Sequence, residues 1–245
     1  MPLTSASLRA HAAVPMMNPM GEADVDRAIA ALALAPGARV VETGCGAGEV
    51  LLRVLEAHPG ATGLGVDPDA DALDRMRVAA ARRVPGREPE VVQAAADAAG
   101  LEAGGFDLVV NVAASHAHGG FPDALAELAA LARPDGGVVL LGEAYWTRAP
   151  SPEFLEALGG ATADELPLGL DALQDAARAA GLEALAVAAC TEADFAAYEE
   201  GLAAEAERYD DAEAVAYAGR IRERRALPGG ASTLGFALLT LRRGP

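Results

Sequence analysis

Short apolar segments alternate with helical segments over residues 38–142, and this alternation strongly limits the folds open to the chain. Five segments have the length and apolar character of buried strands, and they lie at residues 38–42, 62–66, 90–93, 106–112 and 138–142. Helical patterns over residues 22–34, 49–58, 70–83 and 121–132 separate most of them. Parallel strands need such crossover segments between them. The sequence therefore predicts an α/β fold with a doubly wound, mostly parallel sheet and helices on both faces.

The two ends of the chain have a looser pattern. Residues 1–20 are predicted to be irregular. Beyond residue 143 we expect further helices at 151–158, 171–180 and, as a charged pair, within 192–225, with strands at 182–190 and 231–241. The charged pair is interpreted as a solvated helix face, and alternatively as a lid or a dimer contact.

Charge and cysteine content narrow the partners and the compartment. The formal net charge of −17 disfavours a phosphate backbone and an anionic membrane surface, so we expect neither nucleic acid nor membrane as a partner. The two cysteines, Cys45 and Cys190, give neither a disulfide framework nor a metal-ligand spacing. Without a recognisable signal peptide or a long apolar span, the sequence predicts a cytoplasmic monomer or homodimer.

A glycine loop at residues 42–48, with the sequence ETGCGAG, follows the first predicted strand. Glycine permits tight turns and lets a ligand lie against the backbone. The following helix begins with free N–H groups, which favour a carboxylate or a phosphate. The dinucleotide fingerprint G-x-G-x-x-G is not met, because its sixth position is Glu49.

An acid, Asp67, ends the second predicted strand 23 residues after Gly44. At about this distance an acid meets the ribose hydroxyls of a bound nucleotide. Asp67 therefore indicates nucleoside binding without identifying the nucleoside, and helix capping is the alternative interpretation.

The spacing G-x-G-x-G behind Glu42 resembles motif I of class I methyltransferases that depend on S-adenosylmethionine (SAM). The resemblance implies that Glu42 helps to bind the ammonium group of SAM, above a floor formed by the loop. It also implies a Rossmann-like, doubly wound, mostly parallel seven-stranded sheet with a C-terminal antiparallel strand and an additional helical lid. The cofactor residues that it implies are Glu42, Gly44, Cys45, Gly46, Gly48, Asp67, Pro68, Ala96, Asp97, Ala98 and Asn111, with Asp97 on the adenine amino group.

The segment after the fourth predicted strand contains His116 and His118, at the position where the family places methyl transfer. Either histidine is a candidate catalytic residue, because imidazole accepts a proton near neutral pH. The alternative is that the ring hydrogen-bonds the backbone or holds the cofactor. Tyr145 and Trp146 are candidate substrate-binding residues that form an aromatic wall beside the sulfonium, or else they are core residues.

These features together predict one methyltransferase domain over residues 1–245. Its expected parts are an N-terminal lid or helix (1–35), a SAM-binding core (36–142), a substrate side (143–190), a helical insertion (191–230) and a final strand (231–245). The predicted activity is in-line transfer of a methyl group from SAM to a small-molecule acceptor, without a metal. An NAD(P)-dependent oxidoreductase of Rossmann type and a non-catalytic SAM-binding protein are the alternatives.

Overall fold

The computed structural model describes residues 5–14 and 16–244, and a seven-stranded sheet organises this part of the chain. The strands are β1 Arg39–Thr43, β2 Thr62–Asp67, β3 Glu90–Gln93, β4 Leu108–Val112, β5 Val138–Trp146, β6 Leu182–Ala189 and β7 Leu234–Arg243. Their order in the sheet is β3-β2-β1-β4-β5-β7-β6. The neighbours among β1 to β5 are all parallel, so their carboxyl ends form one edge of the sheet.

The last strand, β7, runs against its neighbours. The N–H of Thr147, just after β5, donates to Thr233 O at 2.9 Å, whereas the N–H of Arg243 donates to Gly137 O at 2.8 Å. The end of β7 thus lies beside the start of β5, which makes the pair antiparallel. The predicted α/β sheet with a C-terminal antiparallel strand is confirmed.

Nine α-helices surround the strands within the described residues. They are α1 Ser5–Ala12, α2 Glu22–Ala30, α3 Glu49–Ala57, α4 Ala70–Arg83, α5 Phe121–Leu131, α6 Pro152–Ala157, α7 Gly169–Ala179, α8 Glu192–Ala206 and α9 Ala212–Ala226. Asp69 caps α4, since its Oδ1 accepts from the backbone N–H groups of Asp71 (2.9 Å) and Ala72 (3.2 Å). None of the described helices is long and apolar enough to cross a bilayer.

Helix α1 corrects the expectation that residues 1–20 are irregular; of these, residues 1–4 and 15 lie outside the described part. Ala6 and Ala10 are fully buried and share a cluster with Leu202 of α8 and Ile221 of α9. Four-residue spacing puts the two alanines on one face of α1. Small alanine side chains pack closely there although they give a weak apolar signal in the sequence.

Strand β5 is longer than the expected 138–142 and continues to Trp146. The pairing with β7 explains the extension, because the hydrogen bond from Thr147 to Thr233 lies beyond Trp146. Glu143, Ala144 and Tyr145, which lie beyond the strand expected from the sequence, are therefore strand residues.

The contacts divide the chain into two compact units. One contains residues 1–21, 144–173 and 189–237, and the other contains residues 22–143, 174–188 and 238–245. The second unit holds β1 to β4 and the glycine loop. The first holds the cluster of α1, α8 and α9. The five-part layout expected from the sequence remains a prediction.

Candidate functional site

The glycine loop between β1 and α3 has a backbone that only glycine adopts easily. Gly44, Gly46 and Gly48 have φ values of 65°, 52° and 74°. Space is equally restrictive, since a Cβ on Gly44 would lie 2.5 Å from the Cβ of Ala114. A Cβ on Gly48 would lie 2.6 Å from Cγ and Sδ of Met76. The loop is thus held between Ala114 on one side and Met76 on the other.

Asp67, the last residue of β2, is hydrogen-bonded to this loop. Its Oδ2 accepts from the N–H of Gly46 at 2.8 Å, and its Oδ1 accepts from the N–H of Asp69 at 2.8 Å. The N–H of Cys45 also donates to Val66 O at 3.0 Å. The acid that the sequence associates with ribose therefore also shapes the glycine loop, while the capping of α4 falls to Asp69.

Glu42 is an almost fully buried carboxyl group behind the loop, with 3% of its surface exposed. Its Oε2 accepts from the N–H of Leu51 in α3 at 3.0 Å. Burial raises the pKa of Glu42 to about 8, and the nearby charges of Asp67 and Glu49 add to this effect, although the Leu51 N–H opposes it. Glu42 is therefore mostly protonated at neutral pH when no cation is near.

Cys45 packs as a small apolar residue in the same loop. The thiol is buried, with its Sγ 3.9 Å from Sδ of Met76. Burial raises the pKa of Cys45, and the charges of Glu42 and Asp67 raise it further. A thiol so disfavoured as thiolate is a poor nucleophile, so Cys45 serves the loop as a small buried residue.

Asn111 lies fully buried near the carboxyl end of β4. Its Nδ2 donates to Thr43 Oγ1 at 3.0 Å, to Thr43 O at 3.1 Å and to Ala114 O at 3.3 Å. Among the described residues its Oδ1 has no hydrogen-bond partner. The next residue but one, Ala113, is a non-glycine residue with a positive φ of 58°. Asn111 thus combines a fixed amide with a buried acceptor atom that lacks a hydrogen-bond donor, beside a strained turn.

The two candidate histidines have different environments in the short 3₁₀ helix Ser115–His118. His118 is buried, and both of its ring nitrogens have partners: Nε2 lies 2.9 Å from Thr43 Oγ1, and Nδ1 lies 2.5 Å from Glu127 Oε2. His116 is exposed. Desolvation lowers its pKa, and the charge of Asp67 acts in the opposite direction. Of the two rings, that of His116 is the one accessible to a reacting group.

The residues that the resemblance assigns to the adenosine end lie at the carboxyl ends of β2 and β3. Asp97 is exposed in the 3₁₀ helix Ala96–Ala98, whose first residue is buried. Pro68 is exposed, and its carbonyl oxygen accepts from Gln93 Nε2 at 3.4 Å. The carboxylate of Asp97 is thus available to a ligand.

Tyr145 and Trp146 belong to the unit that contains α6. Trp146 is 1% exposed, donates through Nε1 to Ala163 O at 2.8 Å and packs edge-on against Phe154 at 6.2 Å. Tyr145 is also buried, and a Cβ on Gly235 would lie 2.5 Å from its Cζ. These contacts favour the core interpretation of Trp146 that the sequence left open.

Sequence reasoning missed four residues that shape the site. Thr43 and Glu127 complete the hydrogen bonds of Asn111 and His118, and Ala114 and Met76 enclose the glycine loop. Thr43 lies within the glycine-loop segment ETGCGAG and Ala114 within the segment after β4, but the sequence assigned no role to either, and Met76 and Glu127 belong to no motif recognised there. Within the described residues, no group of three or more His, Cys, Asp or Glu side chains is placed to hold a metal ion.

The part of the chain that contains the glycine loop is similar to a known protein family. Residues 40–136, which include most of β1, the glycine loop, Asp67, Asp97 and Asn111, match the model of the methyltransferase domain family. These residues of the chain thus resemble a methyltransferase domain. The matched residues lie within a Rossmann-like sheet whose strand order and antiparallel β7 are those described above.

Two curated proteins are similar to part of this chain. The uncharacterized protein YjhP of Escherichia coli (strain K12) is 34% identical over 143 residues, which cover 56% of this chain and 55% of that protein. The release factor glutamine methyltransferase of Rhodospirillum rubrum is 40% identical over 75 residues, or 31% of this chain and 22% of that protein. The matches thus span about half of the first relative and less of the second.

Solved structures extend the likeness in fold to nearly the whole chain. The X-ray structure of E. coli YjhP has a TM-score of 0.83 at 23% identity and covers 97% of this chain and 99% of that one. A SAM-dependent methyltransferase from Geobacter sulfurreducens, in complex with S-adenosyl-L-homocysteine (SAH), has a TM-score of 0.83 at 21% identity, with 97% of each chain covered. At these identities the likeness shows the fold.

Proposed function

We propose that this chain is a SAM-dependent methyltransferase that methylates a small-molecule acceptor. The observation that carries the proposal is the glycine loop held by Asp67, with the carboxyl group of Glu42 buried behind it. This loop lies at the carboxyl edge of a parallel sheet, which is where ligands bind in open α/β folds. The methyltransferase family match and the SAH complex of the Geobacter relative support SAM as the ligand.

The proposed cofactor contacts follow the order of the strands. Gly44, Cys45, Gly46 and Gly48 form the floor under the methionine part of SAM, with Asn111 beside them on β4. Asp67 and Pro68 at the end of β2 take the ribose. Asp97, between Ala96 and Ala98 after β3, accepts from the adenine amino group. This order, β4-β1-β2-β3, is continuous in the sheet, so one extended nucleoside reaches all the contacts.

Glu42 gains a partner in this arrangement. A buried carboxyl group with a pKa near 8 is costly to ionise in the empty site. The ammonium group of SAM supplies the opposite charge, which favours the ionised form. The site therefore favours a ligand that places a cation beside the glycine loop, where a dinucleotide would place its anionic pyrophosphate.

The reaction that we propose is an in-line displacement at the sulfonium methyl group. The nucleophile of the acceptor forms a bond to the methyl carbon, and the electrons of the carbon–sulfur bond pass to sulfur, giving SAH. The exposed His116 accepts the proton of the nucleophile if the acceptor is an alcohol or an acidic carbon. Because SAM is already activated, the protein contributes mainly close and aligned reactants.

The charge of the chain supports the proposal by arguing against one class of macromolecular acceptor. With a formal net charge of −17, the chain repels polyanions such as nucleic acids. The packing of Trp146 gives that residue a structural role. The identity of the nucleophilic atom follows from the acceptor and is open to direct assay.

A labelling experiment tests the proposal. The protein is incubated with SAM labelled in its methyl group and with a bacterial extract divided into dialysable and macromolecular fractions. We expect label in a dialysable product, and we expect His116→Gln to lower kcat while leaving SAH affinity unchanged. Transfer of the label only to macromolecules contradicts the small-molecule assignment. Binding of NAD without any binding of SAH contradicts the methyltransferase assignment itself.

A further inference from the structure

A chain of side-chain hydrogen bonds runs from the surface of α5 to the buried end of β4. Glu127 Oε2 lies 2.5 Å from Nδ1 of His118, whose Nε2 lies 2.9 Å from the hydroxyl of Thr43. The Thr43 hydroxyl in turn lies 3.0 Å from Nδ2 of Asn111. The four residues come from α5, the 3₁₀ helix, β1 and β4. The hydrogen bonds therefore connect the segment before the glycine loop to the segment after β4.

The chemistry of the groups decides which atom donates and which accepts in each of these hydrogen bonds. The Glu127 carboxylate only accepts, so Nδ1 of His118 carries a hydrogen. In the neutral ring Nε2 is then an acceptor, and it receives the hydrogen of the Thr43 hydroxyl. The Thr43 oxygen is left to accept from Asn111 Nδ2. Each group thus has one role, and the Thr43 hydroxyl presents a lone pair to Asn111.

The Asn111 amide has only one possible orientation. Besides the hydroxyl, Nδ2 faces two backbone carbonyl oxygens, Thr43 O at 3.1 Å and Ala114 O at 3.3 Å. A reversed amide would place Oδ1 against both carbonyls, and all three atoms are acceptors. Oδ1 is therefore the atom without a partner among the described residues, although Asn111 has no exposed surface.

A buried acceptor without a donor is unfavourable, and the neighbouring Ala113 adds a strained φ of 58°. Both features are expected where a ligand supplies the missing donor. Asn111 of β4 contacts Thr43 of β1, whereas Asp67 is the last residue of β2 and Asp97 follows β3. In the cofactor arrangement proposed above, the donor that reaches β4 is the ammonium group of SAM.

We propose that Thr43, His118 and Glu127 are positioning residues: together with the carbonyl oxygens of Thr43 and Ala114, they hold the Asn111 amide so that its Oδ1 accepts a hydrogen bond from the ammonium group of SAM. This inference rests on the proposed function. It gives His118 a role through Thr43 and Asn111, and it leaves proton transfer to His116.

The first test compares SAH affinity by titration calorimetry. Thr43→Val removes the hydroxyl but keeps the shape, and we expect it to weaken SAH binding by about tenfold, as for one hydrogen bond to a charged donor. Thr43→Ser restores the hydroxyl and should recover most of the affinity. Thr62→Val is the matched control, because Thr62 lies at the opposite end of its strand, and it should bind SAH as the parent chain does.

The second test isolates the ammonium contact with an SAH analogue in which hydrogen replaces the amino group. On going from SAH to this analogue, the affinity of the parent chain should fall more than the affinity of the Thr43→Val variant. The variant has already lost part of the contact between Asn111 and the ammonium group. Equal losses in the two proteins overturn the inference. Equal losses together with normal SAH binding by the parent chain would leave the proposed function intact. If the parent chain does not bind SAH at all, the proposed function itself is contradicted.

A third readout follows the histidine itself. Nitrogen NMR of the parent chain should show His118 with a protonated Nδ1 and an unprotonated Nε2. Glu127→Ala should shift the ring towards the other tautomer and weaken SAH binding, whereas Glu127→Gln, whose amide oxygen still accepts, should preserve both. A tautomer and affinity that do not respond to Glu127→Ala contradict the positioning role.

Discussion

The Asp67 carboxylate accepts a hydrogen bond from the N–H of Gly46, with 2.8 Å between Oδ2 and the nitrogen. Its second oxygen accepts from Asp69 N–H at the same distance. One side chain thereby links the shape of the glycine loop to the start of α4. We therefore expect a change at Asp67 to affect stability and, through the proposed cofactor contacts, SAH binding as well.

Asp67→Asn should lower both stability and SAH affinity. An asparagine has one acceptor oxygen, so one of the two backbone N–H groups loses its partner, at a cost of about 1–3 kcal/mol in the free energy of unfolding. Urea denaturation measures this loss. Asp97→Asn is the matched control: the exposed Asp97 should tolerate the same change with unaltered stability and with weaker SAH binding only. Equal stability of Asp67→Asn and the parent chain would contradict the linkage.

Gly48→Ala should destabilise the chain more than Gly86→Ala does. Both glycines have nearly the same positive φ, 74° and 75°, so alanine is similarly strained at each. Only at Gly48 does the added Cβ meet other atoms, at 2.6 Å from Met76, whereas nothing lies within 4 Å at Gly86. The difference between the two denaturation midpoints therefore measures the close approach alone. Equal midpoints would show that Met76 moves aside at no cost.

The pH dependence of stability should carry the signature of Glu42. Its pKa of about 8 in the folded chain lies above the ordinary 4.5, so between these values the folded state holds a proton that the unfolded state has released. The stabilising contribution is complete below about pH 4.5 and is lost as the pH rises through about 8. Glu42→Gln should therefore be more stable than the parent chain at pH 9. Parallel stability curves from pH 5 to pH 9 would refute the raised pKa.

The buried ion pair of the helical cluster should matter more than an exposed one nearby. Glu199 and Arg224 join α8 to α9 with side chains only 7% and 11% exposed. Removing one charge leaves the other buried, so Glu199→Gln should cost about 3–5 kcal/mol of unfolding free energy. Glu207→Gln breaks the exposed pair with Arg222 and should leave the denaturation midpoint nearly unchanged. Similar midpoints for the two variants would contradict this ranking.

Local patterns in the sequence predicted most of the sheet. Helix α4 and strand β3 have the expected limits, and the glycine loop begins where the apolar run of β1 ends. These features depend on neighbouring residues, because strand and helix periodicity and glycine spacing are local signals. For the same reason the acid at the end of β2 was recognisable as a candidate ligand residue.

Long-range contacts account for what the sequence did not predict. His118 meets Thr43 across 75 positions of the chain, so no local pattern assigns its ring to that hydroxyl. Likewise α1 is stabilised by small alanines packed against α8 and α9, and β5 is extended by its pairing with β7. In each case tertiary contacts decide the conformation over weak local preference.

Titration calorimetry of the folded chain with SAH, at pH 7 in two buffers with different ionisation enthalpies, tests the central claim most directly. The account predicts saturable binding at one site, with release of about one proton as the ammonium group ionises Glu42, whose pKa is about 8 in the free chain. The Glu42→Gln variant should bind more weakly and release no proton. Well-folded protein that takes up no SAH, or that binds it without a difference between the buffers, would contradict the account.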